Sequence, residues 1–105
     1  MIFTTTESIA GKPTHEVLGV VTGSVVQSKH IGRDIMAGFK SIVGGEIRGY
    51  TEMLSEARDV AIQRMVESAK NKGADAVVGI RFTTSAIMDG SSEIMVFGTA
   101  VKLSL

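Results

Sequence analysis

The sequence predicts an α+β subunit of two layers, helices on one face of an antiparallel sheet, built to assemble with copies of itself. Three observations lead there. β-rich runs flank a helical middle, the longest helical stretch carries one apolar stripe, and the apolar share is large for the length. Of 105 residues, 44% are hydrophobic and 21% charged, with a mean hydropathy of +0.25. A domain of this size hides only about two-thirds of the surface its unfolded chain exposes. So apolar a balance excludes disorder and predicts that part of the surface is buried between subunits.

Residues 1–6 read as a short strand, followed by a loop holding Gly11-Lys12-Pro13 and the single proline of the chain, as suits a sheet edge. Residues 15–28 are β-rich, with Gly19 and Gly23 where a bend or bulge is cheap. The central part of this run is apolar on both faces, the pattern of a strand covered on both sides. Residues 31–43 set Ile31, Ile35, Phe39 and Ile42 or Val43 at helical spacing, which predicts a short helix ended by Gly44-Gly45. Residues 51–72 repeat the period more strongly, with Leu54, Ala57, Ala61, Met65 and Ala69 on one stripe flanked by Met53, Val60 and Val66. Glu52 and Glu56 early in this helix and Lys70 and Lys72 late in it suit the helix dipole, and Gly73 supplies the stop.

Residues 76–88 and 93–103 are strand-like runs joined by Asp89-Gly90-Ser91-Ser92, which predicts a β-hairpin. A four-residue loop leaves Met88 opposite Glu93. One face then collects Val78, Ile80, Phe82, Met95, Phe97, Val101 and Leu103 as the core. The other pairs Arg81, Thr83 and Ser85 with Ala100, Gly98 and Val96, and Ile87 with Ile94, too apolar for open solvent and suited to a subunit contact. The whole chain, 1–105, reads as one domain.

Eleven Lys and Arg balance eleven Asp and Glu, and no basic run stands out, so neither nucleic acid nor an anionic membrane is an expected partner. There is no cysteine, which removes disulfides, thiolate metal sites and cysteine nucleophiles and suits the reducing cytoplasm. The first residues lack the charged and apolar regions of a signal peptide, and no apolar run reaches membrane-spanning length, so a cytoplasmic protein is expected.

Taken in order, Ile31-Gly32-Arg33-Asp34, Ile42-Val43-Gly44-Gly45, Tyr50, Leu54, Ala57-Arg58, Gly73-Ala74-Asp75-Ala76-Val77-Val78-Gly79 and Gly98-Thr99-Ala100-Val101 resemble the YbjQ-like family of uncharacterised bacterial and archaeal proteins. The resemblance covers essentially the whole chain. It implies a dodecin-like subunit, helices against a bent antiparallel sheet, assembled into a ring of five. It also brings a heavy-metal-binding label.

The residues support that label poorly. A soft or borderline metal wants cysteine or clustered histidine, whereas only His15 and His30 occur, fifteen positions apart. His15 and Glu16, adjacent on a strand, point to opposite faces. His30 and Asp34 can share a helix face, an arrangement more often simply solvated. A ring axis would multiply one carboxylate or histidine into several ligands.

The segment 44–51, Gly-Gly-Glu-Ile-Arg-Gly-Tyr-Thr, can present backbone N–H groups to an anion beside Arg48. It is no P-loop, because it follows a helix and lacks the Lys-Ser/Thr ending. A plain connector, with Thr51 or a neighbour capping the next helix, explains it as well. Glu46, Arg48, Tyr50 and Arg58 are therefore the candidate ligand-binding residues, set against the commoner use of Arg and Tyr as interface anchors. No catalytic residue and no metal ligand is named, and the sequence leaves any cofactor open. The expected function is a non-enzymatic, homo-oligomeric binding or scaffold protein with a metal ion or small anion at subunit boundaries. The alternative is an enzyme sharing a site between subunits, with Glu46 as base, Tyr50 as acid or donor and Arg58 for an anionic substrate.

Overall fold

The hydrophobic stripe of the middle segment becomes one long helix, and the two glycine-punctuated β-rich runs on either side of it become neighbours in one sheet. The computed structural model describes residues 1–28, 42–43 and 46–104. The elements are β1 (Ile2–Phe3), β2 (Thr14–Ser28), β3 (Ile42–Val43), β4 (Glu46–Ile47), α1 (Arg48–Asn71), β5 (Ala76–Met88) and β6 (Ser91–Leu103). The main sheet has the order β1-β5-β6-β2, and β3 pairs with β4 separately. β5–β6 and β6–β2 are antiparallel, while β1 runs parallel to β5, so the sheet is mixed where an antiparallel one is expected from sequence. Most of the helix predicted over 31–43 lies outside the described residues. Its last two positions, Ile42 and Val43, are strand and pair with Ile47 and Glu46.

α1 begins three residues earlier than its stripe predicts. Thr51 is therefore inside the helix, Glu52 and Glu56 fall beyond the first turn, and that turn holds no acidic residue. The far end follows expectation. Gly73, at φ 78°, takes the left-handed conformation that ends helices, and the N–H groups of Gly73 and Ala74 donate to the carbonyls of Lys70 and Ala69 at 2.9 and 3.1 Å.

Ala57, Ala61, Met65 and Ala69 are buried, with Leu54 and Met53 partly so. Small alanines let the helix lie close. At Gly23, across from it, an added Cβ would meet the Ala61 carbonyl and come within 2.6 Å of the Met65 nitrogen. Val21, Val77, Ile80, Val96 and Ala100 complete this core from the sheet side. A second cluster, Ala76, Val78 and Val101, sits on the opposite face under Ile9 and Leu103.

The predicted sorting of the hairpin's faces is corrected by its register. The turn is Asp89-Gly90 alone, Met88 lies opposite Ser91, and Arg81 pairs with Phe97 instead of Ala100. A displacement by an odd number of residues exchanges the faces of one strand relative to the other. Ile94, Val96 and Ala100, expected at a subunit contact, are buried on the helix side, while Met95 and Phe97, expected in the core, lie half-buried on the far side. Gly79, at φ 63°, marks an irregularity between Val78 and Arg81 that sends Val78 and Ile80 to opposite faces, although strict alternation puts them together. Phe82, also expected in the core, is 47% exposed.

Candidate functional site

Alternation along β2 gives the sheet two unequal faces. Val21 and Gly23 turn toward α1 and are buried, whereas Val17, Val20 and Val26 are 65%, 70% and 60% exposed on the other side. The strand is apolar on both faces, as the sequence predicts, but among the described residues a helix covers only one of them. Through the register, Val20 shares the open face with Thr99 and Val78, Thr22 with Phe97 and Arg81, and Ser24 with Met95 and Thr83.

The N-terminal segment closes one end of this face. Beyond β1 the chain continues along β5. Thr4 N–H donates to the Val77 carbonyl at 3.0 Å, and the N–H groups of Gly79 and Ile80 donate to the carbonyls of Thr6 and Thr4 at 2.8 and 3.0 Å. Where it lifts away, a cleft of about 490 Å³ opens, floored by Val17, Val78 and Val101 and rimmed by Glu7, Thr14, Arg81 and Thr99. Arg81 is held there by its Nη1, which donates to the Ile80 carbonyl at 2.7 Å and the Thr5 carbonyl at 3.0 Å. The cleft is mixed in character, with an apolar floor and a rim that carries one charge of each sign, Arg81 and Glu7, beside two threonine hydroxyls. Sequence reading placed Arg81 on the second face but could not join it to Thr5, which is 76 positions away. The only local sign is the polar run Thr4-Thr5-Thr6-Glu7, which leaves β1 without turn residues and so continues along an edge.

A second hollow, about 480 Å³, is lined by Ile2, Gly11, Lys12, Asp75, Leu103 and Ser104. Asp75 is engaged structurally. Its Oδ2 accepts from the Leu103 N–H at 2.9 Å, and its own N–H donates to the Val101 carbonyl at 2.9 Å, which fastens the α1–β5 connection to β6.

The residues singled out by sequence are strung along one stretch of chain. Glu46 sits in β4, Arg48 and Tyr50 in the first turn of α1, and Arg58 two turns farther along. At about 1.5 Å per residue, Tyr50 and Arg58 are separated by roughly 12 Å along the helix axis. Arg58 is exposed, next to the buried Ala57. Arg58 lines neither of the clefts described above. His15 and Glu16 are both exposed on β2, and His30 and Asp34 lie outside the described residues. Among the described residues no group of three or more His, Asp or Glu comes together to hold a metal ion, and the chain has no cysteine, so one subunit's described donors do not fit a heavy-metal site. Among the same residues no helix is long and apolar enough to cross a membrane.

Comparison with known proteins gives a consistent picture. The YbjQ family model, described as "Putative heavy-metal-binding", matches residues 1–104. A UPF0145 protein of Colwellia psychrerythraea is 82% identical over 103 residues, covering 98% of each chain. Another, of Thermotoga maritima, is 59% identical over 103 residues, covering 98% of this chain and 97% of its own. Among solved structures, the crystal structure of a protein of unknown function from the DUF74 family of Pediococcus pentosaceus superposes with a TM-score of 0.65 over 99% of this chain and 98% of that one. At 18% identity that likeness speaks for the fold alone.

Proposed function

Since the chain belongs to the YbjQ family, we propose that it is a ring-forming, homo-oligomeric binding or scaffold protein of the cytoplasm, five copies to the ring, without catalytic chemistry of its own. One observation carries the reading: β2 presents Val17, Val20 and Val26 outward at 60–70% exposure, while Val21 and Gly23 of the same strand are buried against the helix. Scattered surface valines are ordinary. Three on one strand, beside Phe97 and Met95, make a face that a second copy would cover. The radius of gyration, 16.8 Å, against roughly 13 Å for a compact domain of about 100 residues, supports a subunit that leaves much surface to its neighbours.

The ligand, a small anion or a metal ion, is placed at the boundaries between copies, with Glu46, Arg48, Tyr50 and Arg58 as the residues offered to it. Their spread along β4 and α1 supports a boundary over a pocket within one subunit. A metal ion would there be held by side chains from several copies, because one copy's described donors do not suffice. The test is native mass spectrometry on protein prepared without chelator and again after chelation. A ring carrying mass that chelation removes supports a metal ligand, and a ring whose extra mass survives chelation and disappears in Arg58→Ala supports an anion. A ring with no adduct in either preparation leaves a scaffold. A monomer refutes the reading.

A further inference from the structure

Among the described residues the sheet has two edges without a strand partner, β2 and the second half of β5, and these strands run in the same direction. β2 forms one end, and among the described residues its backbone is paired on one side only, by β6. A single carbonyl of the strand, that of Ser24, also accepts a hydrogen bond from Arg64 Nη1 at 2.6 Å. At the other end lies the two-residue β1, and beyond the N-terminal segment β5 itself is outermost. Residues 2–6 satisfy its outer edge from Ala76 to Ile80, and from Arg81 to Met88 the described residues supply it no outer partner.

Monomeric sheet proteins guard such edges with lysine, proline or inward charge. Neither edge here carries lysine or proline, and the two arginines beside them are engaged by backbone carbonyls, Arg64 by that of Ser24 and Arg81 by those of Thr5 and Ile80. From Val17 to Ser28 and from Phe82 to Met88 there is no charged residue and no proline. Pairing two neutral edges strands no charge between them, whereas leaving them open exposes rows of backbone N–H and C=O groups beside apolar side chains.

We propose that the outer edge of β2 in one copy pairs in parallel with the Arg81–Met88 edge of β5 in the next copy, so that one sheet runs continuously around the assembly. This rests on the ring-forming reading and says which surfaces make the ring. The orientation follows from the topology. β2 and β5 are each antiparallel to β6, so they point the same way, and a neighbour that keeps its helix on the same side of the sheet must present β5 parallel to β2. The contact is head-to-tail, and repetition of one such contact closes a ring when the rotation permits. Two-fold pairing of β2 with β2 would be antiparallel and would leave both β5 edges open. The Arg81–Met88 edge is about 26 Å long, which β2 can match in full.

The cysteine-free chain offers a clean background for a cross-linking test. Cysteines are placed on the open face at Val20, Thr22 or Ser24 in β2 and at Thr83 or Ser85 in β5, singly and in β2–β5 pairs. Each variant is checked by circular dichroism, treated with a short bifunctional maleimide, and resolved on a denaturing gel. The expected result is that single variants stay at monomer mass, while certain pairs give a ladder ending at the ring's subunit number. The reactive pairs should also follow a parallel register, so that if Val20 links to Thr83, Thr22 links to Ser85. Cross-linked dimers from single β2 variants, or the inverse order of pairs, overturn the proposal. So does a ring seen by native mass spectrometry in which no pair forms a ladder, a result that leaves the ring-forming reading intact. A monomer by native mass spectrometry overturns both.

Discussion

Replacing Gly23 by alanine adds one methyl group at the point where sheet and helix are closest. Two effects oppose each other. Gly23 has an ordinary backbone conformation, with φ outside the positive range, so alanine there is unstrained and gains roughly 0.4–1 kcal/mol by restricting the unfolded chain. Against this, the new Cβ would run into the Ala61 carbonyl and lie 2.6 Å from the Met65 nitrogen. Both are backbone atoms of a helix, and no rotamer change moves them. The helix must retreat by several tenths of an ångström or more, which loosens Val21, Ala61, Met65 and Ala69, each at most 2% exposed. Overpacking of this kind costs about 1–3 kcal/mol, and the rigidity of the obstacle puts Gly23→Ala in the upper part of that range, a net loss of about 2 kcal/mol. For a chain of this size that is roughly 10–15 °C in Tm. The assay is thermal and urea denaturation at one fixed protomer concentration, since assembly couples to stability. Thr22→Ala, one residue away on the open face, serves as the control and should change stability by no more than about 0.5 kcal/mol. Adding Ala61→Gly should give no rescue, because the obstructing atom is a backbone oxygen. A Gly23→Ala protein as stable as its parent would refute the helix–sheet approach argued above.

Gly98→Ala should be milder than Gly23→Ala, about 1–2 kcal/mol by urea denaturation, because its Cβ would meet the Val77 and Ile80 side chains at 2.8 and 3.0 Å, which can partly yield, and a single backbone atom, the Val78 carbonyl oxygen, at 3.0 Å. Adding Val77→Ala should return part of that loss, and the double-mutant cycle should be clearly non-additive. Met65→Ala removes the largest fully buried side chain and should cost about 2–5 kcal/mol, read as a lower urea midpoint with an unchanged slope. Asp75→Ala leaves the Leu103 N–H without its carboxylate partner and should cost about 1–2 kcal/mol, with faster hydrogen exchange at Leu103 as the specific sign.

The sequence made the long helix, the hairpin and the glycine stop at Gly73 legible because each depends on local chemistry. The stripe Ala57, Ala61, Met65 and Ala69 is the buried one, and Gly73 ends the helix in the left-handed conformation expected of it. What escaped was register. Asp89-Gly90-Ser91-Ser92 contains enough turn formers for a two- or a four-residue loop, and only tertiary packing selects between them. The irregularity at Gly79 compounds this, because a single extra residue exchanges the faces of everything beyond it. Gly19 and Gly23 look alike in sequence and do different things. Gly19, at φ 116°, sits at a register shift, while Gly23 makes room for the helix. At the candidate ligand residues, sequence identified chemical types that could bind a ligand. Under the proposed ring they would come together only between copies, a geometry that no pattern within one chain encodes.

The register that upset the sorting of the faces also accounts for the apolar surplus in the composition. A sheet that alternates strictly needs one apolar face. Here Val78 and Ile80, two residues apart, lie on opposite faces, and β2 is apolar on both, so the sheet has two apolar sides. α1 covers one of them. Ile9 and the N-terminal segment cover only the end of the other, around Val78 and Val101, and leave Val17, Val20 and Val26 uncovered. With no buried polar or charged group among the described residues, these packed surfaces carry no polar network to specify their partners. Specificity would then fall to backbone pairing at the strand edges, which reads register through hydrogen bonds and needs no particular side chain. Two neutral edges running the same way, at opposite ends of a sheet with one bare apolar face, fit that requirement.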